Sequence, residues 1–481
     1  MFSTISFCAL AMASSIPNPS LTTIYTTLAA LASILIVFII FSFSTQPNCL
    51  HTNYVRVKTH DFFLPPDTTN ISHLVFGLVG STNAWHHRKS YIESWWRPNI
   101  TRGYLYLDTA PTDDLVPWSE ASPPFRISDN ITTLFEESRH NGEPVMVRLI
   151  HAVIEIFRDE REDVRWYIMG DDDSIFFVDN LVDVLSKYDH TKYIYIGGHS
   201  ESIAPNEILS YDMGFGGAGL IMSYPLAKMV QKNIEDCVRR YPQLKCADQT
   251  LMNCVNDFGV TLTAHQGLHQ MDLHGDVSGF LSSHPKVPLL SLHHFDQLDP
   301  IFPSMDRSES AKHLMKAANI DQPRLVQQTV CYDRQLNWTF SCSWGYSVHI
   351  YENIIPRSVL KAPLQTFKPW ILESTPPLFI FDTRPLSNDP CATPHVFLFE
   401  SIKIINETEV ITNYVRVASR GLPACEIAGN HSADLINRIE VVSPMTKPKQ
   451  DGKAECCDIV ENKMDVVRLK LRDCMEDELI A

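Results

Sequence analysis

From residue 73 onward, short apolar runs alternate with longer amphipathic stretches, and the alternation predicts the architecture. "HLVFGLVGS" (73–81) is an apolar run ending in Gly77, Gly80 and Ser81; a helix-like stretch follows to Trp96, and "GYLYLD" (103–108) reads as a second strand. Met146, Leu149, Ile150, Val153, Ile154 and Phe157 fall at i, i+3, i+4, i+7, i+8 and i+11, the spacing of a helix with one buried face. "RWYIM" (165–169) predicts a buried strand. Asp179 to Tyr188 predicts a capped helix with Leu181, Val182 and Leu185 inward, and "YIYIG" (193–197) another strand. Such alternating units predict an α/β sheet with parallel strands.

The N-terminal pattern is different. The first 55 residues hold no Asp, Glu, Lys or Arg, and Leu21 to Phe43 is apolar apart from hydroxyls, enough for one membrane-spanning helix of about 20 residues. The run is longer than the apolar core of a cleaved signal (about 7–15 residues) and starts later, so a retained anchor is expected. Arg56 and Lys58 follow it and would hold that side in the cytosol. Two features argue the reverse. Six Asn-X-Ser/Thr acceptors, at Asn70, Asn99, Asn130, Asn337, Asn406 and Asn430, lie beyond the run, as do eleven of the twelve cysteines. A type II protein with a luminal bulk is expected, its cysteines in disulfides; an odd number leaves one thiol over, and buried free thiols are the alternative.

This divides the chain into a short cytosolic tail (1–20), an anchor (21–43), a stem with Pro47, Pro65 and Pro66 (44–70), an α/β domain (71–300) and a β-rich, Cys-containing region (301–481). The last region offers no chemistry of its own. "TNYVRV" occurs at 52–57 and 412–417 with no accompanying period, so no repeat architecture follows. A formal net charge of -16 without a Lys/Arg cluster excludes a broad basic surface for nucleic acid.

Candidate chemistry centres on "RWYIMGDDDSIFFVDNL" (165–181), where Asp171, Asp172 and Asp173 sit at the carboxyl end of a central strand, the place where open α/β sheets bind ligands. Adjacent carboxylates repel, and a hard divalent cation, its shell completed by water and phosphates, offsets the repulsion most readily. The metal therefore suggests a nucleotide. A solvated turn or a helix cap is the alternative; an EF-hand is not, because neither its alternating ligands nor its terminal Glu follows. "GFGGAG" (214–219) lets backbone approach a ligand closely, and precedes a helix from about Pro225 with Leu226, Met229, Val230, Ile234 and Cys237 on one face. Alone it would be only a turn.

"WYIMGDDDSIFFVDNLVDVLSKYD", "YIGGHSES", "GFGGAGLIMSYPLA", "GLHQMDLHGDVSGFLSSHP" and "PLLSLHHFDQLDPIFPSM" resemble the plant fringe-related proteins, a family described largely as a domain of unknown function, from about residue 70 to the end. These are in turn similar to Fringe and the β-1,3-glycosyltransferases, which have a glycosyltransferase-A (Rossmann-like) fold, invert the sugar's configuration and use a UDP-sugar with Mn²⁺. The resemblance implies that Asp173 is a metal ligand, with Asp171 and Asp172 near the ribose and the metal's waters. It places Gly216, Gly217 and Gly219 along the donor and acceptor sites, and His293, with His294 as second choice, completing the metal site. It also implies Asp248, in "CADQTLMNCVNDFG", as the general base, although Gln249 stands where many relatives have a second acid, and Asp248 equally reads as the N-cap of a helix from Gln249 to Phe258 stopped by Gly259.

The implied activity is a Golgi-anchored hexosyltransferase moving a hexose or N-acetylhexosamine from a UDP-sugar to a hydroxyl of a glycan or glycoprotein, with a β-1,3 linkage. A lectin-like or scaffolding protein of the secretory pathway, motivated by Gln249, and a luminal acidic metal-binding protein are the alternatives from other classes.

Overall fold

β1 (Leu74–Gly80) is buried along its whole length, and its alternating side chains serve two cores. In a computed structural model, which describes residues 68–426, 432–445, 455–463 and 465–479, it pairs in parallel with β2 (Arg102–Leu107). β3 (Phe125–Ile127) lies parallel beside β2, and β4 (Trp166–Asp171) runs parallel on the other side of β1. The tail, the anchor at 21–43, the stem as far as residue 67 and Asn430 lie outside the described residues. Among the described residues no helix is long and apolar enough to cross a membrane.

β5 (Ile175–Phe176) follows the Asp turn, and the large sheet continues through β6 (Tyr195–Gly197), β7 (Leu220–Ser223) and β8 (Leu262–Ala264), in the order β3-β2-β1-β4-β7-β6-β8. The sheet is mixed rather than parallel throughout, because β7 enters between β4 and β6 antiparallel to both. The parallel pairing expected from the strand–helix alternation holds for β3, β2, β1 and β4, whereas the four residues of β7 follow the glycine loop without a pattern of their own.

Leu74, Phe76, Leu78, Trp166 and Ile168 face a core that continues through Phe340, Trp344, Tyr346, Val441 and Leu469 of the C-terminal region. Val75, Val79, Tyr167 and Met169 face the opposite side, against helices Pro144–Asp159, Tyr224–Arg240 and Ala247–Asn256. The predicted helical stripe is there: Ile150, Val153 and Phe157 are buried, with Met146, Leu149 and Ile154 packed at the edge. The helix expected from Asp179 runs Val178–Leu185, and Asp179 pairs with Arg97 at 2.7 Å instead of capping it.

The chain then forms β9 (Leu268–His269), β10 (Leu273–Gly275) and β11 (Ser291–Leu292), with β5-β11-β9 making a small sheet under the Asp turn. Eight strands between Gln328 and Arg472 form a second large sheet, in keeping with the β-rich expectation. Disulfides join Cys237–Cys254, Cys331–Cys457, Cys391–Cys425 and Cys456–Cys474, and among the described residues Cys246 and Cys342 are free thiols.

Cys237–Cys254 ties the helix Tyr224–Arg240 to the helix that carries Asp248, closing a loop at a sequence separation of 17. Its removal frees the unfolded chain and is expected to cost about 3 kcal/mol by loop-closure reasoning. Cys254→Ser should therefore lower the thermal midpoint, and reductant should shift the variant less than it shifts the native protein in the same melt.

Candidate metal and transfer site

Two short strands bring the site together. β4 ends at Asp171, and the turn after it is held by the Asp171 N–H donating to Ser174 Oγ (2.8 Å) and by Ser174 Oγ donating to the Gly217 carbonyl (2.7 Å). β5 and β11 then pair antiparallel, Ile175 with Leu292 and Phe176 with Ser291. His293, the next residue of that register, is thereby set against the turn. Its Nε2 lies 3.1 Å from Asp173 Oδ1 and 3.4 Å from Asp171 Oδ2.

Asp173 is 1% exposed and His293 3%. Neither oxygen of Asp173 receives a hydrogen bond, nor does His293 Nδ1 have a partner. The ligand atoms of Asp171, Asp173 and His293 lie within 4.8 Å of one another. A buried carboxylate with unfilled lone pairs, a second carboxylate and an imidazole nitrogen form a donor set that fits a divalent cation accepting both oxygen and nitrogen, such as Mn²⁺. Burial disfavours charge on Asp173, yet His293 and Arg88 hold its carboxyl well below the usual range. Burial likewise disfavours a charged His293, but Asp173 and Asp171 push its imidazole up to about 10. A divalent cation would satisfy the same carboxylates.

Asp172, expected beside the ribose, is turned away and 3% exposed. Its Oδ1 accepts from Arg88 Nη1 at 2.6 Å and its Oδ2 from the Ser81 N–H at 3.2 Å, while burial pushes its carboxyl up to about 6 against the pull of Arg88. Arg88 also lies 3.4 Å from Asp173 Oδ2 and donates through Nε to Asp296 Oδ2 at 2.8 Å; Asp296 Oδ1 accepts from Tyr91 OH at 2.9 Å. Arg88 and Asp296 escaped the sequence reading. Their available signals were an acid two residues after the His pair and an Arg three residues before a Tyr on one helix face.

Gly216 and Gly217 are where backbone must come close. The Gly216 N–H donates to Asp248 Oδ2 at 2.8 Å, and a Cβ there would meet Asp248 Oδ1 at 2.5 Å. A Cβ on Gly217 would fall inside the His293 ring, within 2.0–2.3 Å of three of its atoms. Gly219 stands apart beside Phe176 with φ +103. Asp248 does not cap its helix: Ala247–Asn256 has Cys246 at its N-cap, and the carboxylate turns across to Gly216 instead. Enclosure and the charge of Asp171 push its carboxyl up to about 7, against the opposing Gly216 N–H. Gln249 donates to the Leu209 carbonyl at 3.2 Å. His294 lies outside the Asp171–Asp173–His293 group, its ring 3.9 Å from that of His293 and its Nδ1 3.1 Å from Asp272 Oδ1.

Asp171, Gly216, Gly217, Asp248, His293 and His294 line one side of a cavity of about 210 Å³, and Met146, Leu149 and Leu251 form an apolar wall. Of the acceptor asparagines, Asn70, Asn99, Asn130 and Asn406 are exposed and Asn337 is half-buried.

A family model described as Fringe-like matches residues 79–294, and one described as "Protein of unknown function, DUF604" matches residues 205–457. Sheet, acid–histidine centre and matches together define a fringe-related protein. The chain belongs to the family described as "Protein of unknown function, DUF604", whose model covers more than half of it. The Fringe-like match spans all of Asp171, Asp173, Asp248 and His293 and supports a glycosyltransferase. No match was found among curated proteins. A solved structure described as "Crystal structure of a glycosyltransferase involved in the glycosylation of the major capsid of PBCV-1" is similar at 13% identity, covering 50% of this chain and 97% of that chain with a TM-score of 0.27.

Gly217→Ala should drive the His293 ring from its place. A loss of divalent-cation affinity of about tenfold or more is expected, the scale seen when a ligand's support is removed. Mn²⁺ titration followed by electron paramagnetic resonance checks it, and affinity equal to the native protein's would show that the ring is not held by this contact.

Proposed function

We propose that the protein is an inverting glycosyltransferase that moves a hexose or N-acetylhexosamine from a UDP-sugar to a hydroxyl of a glycan or glycoprotein, in a glycosyltransferase-A-like domain. One observation carries the reading: Asp173, buried with both oxygens lacking hydrogen bonds, meets Asp171 and His293 beside the same cavity that Asp248 lines, inside the Fringe-like match.

Mn²⁺ held by Asp173, Asp171 and His293 would supply Lewis-acid stabilisation of the charge that develops on the departing diphosphate. The chain's own groups do the rest. Asp248 takes the acceptor hydroxyl's proton, and a carboxyl poised at about 7 matches a base to a near-neutral compartment. The Gly216 N–H fixes the direction of that carboxylate. The wall of Met146, Leu149 and Leu251 keeps water from competing with the acceptor. A β-1,3 linkage follows the resemblance to the β-1,3-glycosyltransferases. Placement in the Golgi membrane as a type II protein is supported by the apolar run Leu21–Phe43, by four disulfides and by the exposed acceptor asparagines.

UDP release by the purified full-length chain, across a panel of UDP-sugars with suitable acceptors, tests this reading. Release should require Mn²⁺, cease with EDTA and disappear in Asp173→Ala. Silence across all donors in a folded protein would favour the lectin-like alternative, in which Gln249 marks the loss of the second acid. For the base, Asp248→Asn should lower transfer by about 10²–10⁴-fold.

The pH profile has a definite sign. Asp248 is neutral below its raised value of about 7 and ionised above it, so kcat/KM should climb as pH rises through about 7 and then level off. A limb absent in that range would remove Asp248 from the role.

A further inference from the structure

The region beyond residue 300 approaches the metal site at Trp370. Its strand Phe367–Pro369 pairs antiparallel with β10, Leu273 with Pro369 and Gly275 with Phe367, which sets Trp370 opposite Asp272. The Trp370 N–H donates to Ser202 Oγ (2.9 Å), and that hydroxyl donates to the Asp272 carbonyl (2.6 Å). The Trp370 carbonyl accepts from His274 Nε2 at 3.1 Å. With its backbone so fixed, the indole lies nearly parallel to His294, with centroids 4.6 Å apart at 3°, and to His274, 4.7 Å apart at 11°. His294 in turn lies 3.9 Å from His293, which closes against Gly217.

A metal-binding histidine is normally oriented by a hydrogen bond from its second ring nitrogen. His293 has no such bond, because its Nδ1 is buried without a partner. Besides the carboxylates of Asp173 and Asp171 at its Nε2, its orientation falls to what touches its faces, Gly217 and His294. His294 sits in the left-handed region, at φ 54, where a non-glycine residue stays only when its surroundings hold it. Its Nδ1 lies 3.1 Å from Asp272 Oδ1 without hydrogen-bond geometry, and its broad flat contact is with Trp370.

We propose that Trp370 is a positioning residue: the C-terminal region holds His294 through the indole, and His294 holds His293 in the orientation that binds the cation. The proposal rests on the reading of Asp171, Asp173 and His293 as a divalent-cation site. It gives the β-rich region a part in the chemistry although none of its residues belongs to the ligand group.

The test is Mn²⁺ binding by the full chain without donor or acceptor, measured by electron paramagnetic resonance, with thermal melting to confirm folding. Trp370→Ala should weaken Mn²⁺ binding by about 10–100-fold. Trp370→Phe, which keeps a flat ring, should restore most of the affinity. Trp370→Leu fills the space without a flat face and should lose affinity while melting like the native chain. Native affinity in folded Trp370→Leu or Trp370→Ala overturns the proposal and leaves the metal site standing. Absence of Mn²⁺ binding in the native protein would overturn the metal site and the proposal together.

Discussion

The buried charge of Asp173 is the constraint around which the rest is arranged. A lone carboxylate withdrawn from water costs several kcal/mol, and the cost is offset only by close partners of opposite charge. Two are supplied by segments far apart in the chain, Arg88 from the helix after β1 and His293 from the end of β11. Arg88 is shared with Asp172 and Asp296, so the first helix, the Asp turn and the segment after the His pair are bound into one charged network. A cation at Asp171, Asp173 and His293 would satisfy both carboxylates at once.

Much of the framework was legible because periodicity reports burial. β1, β2, β4 and the helix Pro144–Asp159 follow the apolar runs at 73–81, 103–108 and 165–169 and the stripe from Met146. The missing parts share a physical reason: they are set by contacts between distant residues. Three adjacent aspartates look equivalent as letters, and only the turn between β4 and β5 sends Asp172 to Arg88 while Asp171 and Asp173 meet His293. Asp248 fits the helix-cap pattern locally, but its carboxylate is claimed by Gly216 across the cavity. The pairing that delivers His293 is two residues long, too short for any pattern to reveal. Trp370 gave no signal at all, since its meaning lies in the register of a three-residue strand.

Close approach is the other organising device. Gly216 and Gly217 bring backbone against Asp248 and His293, so one loop spaces the candidate base from the candidate metal ligand. Met146 and Leu149, read from the sequence as part of the helix's buried face, lie half-buried at its edge and line the cavity.

The two family matches overlap between residues 205 and 294, and Gly216, Gly217, Asp248, His293 and His294 all fall in that overlap. β10 lies inside it, but its partner strand, Phe367–Pro369, lies beyond it. A polypeptide ended at residue 294 would therefore display an open strand edge at β10, together with the apolar face that Phe340, Trp344 and Val441 cover in the intact chain. Open edges of that kind recruit other chains. The two matched segments therefore share one core, and the first relies on the second to cover its strand edge and its apolar face.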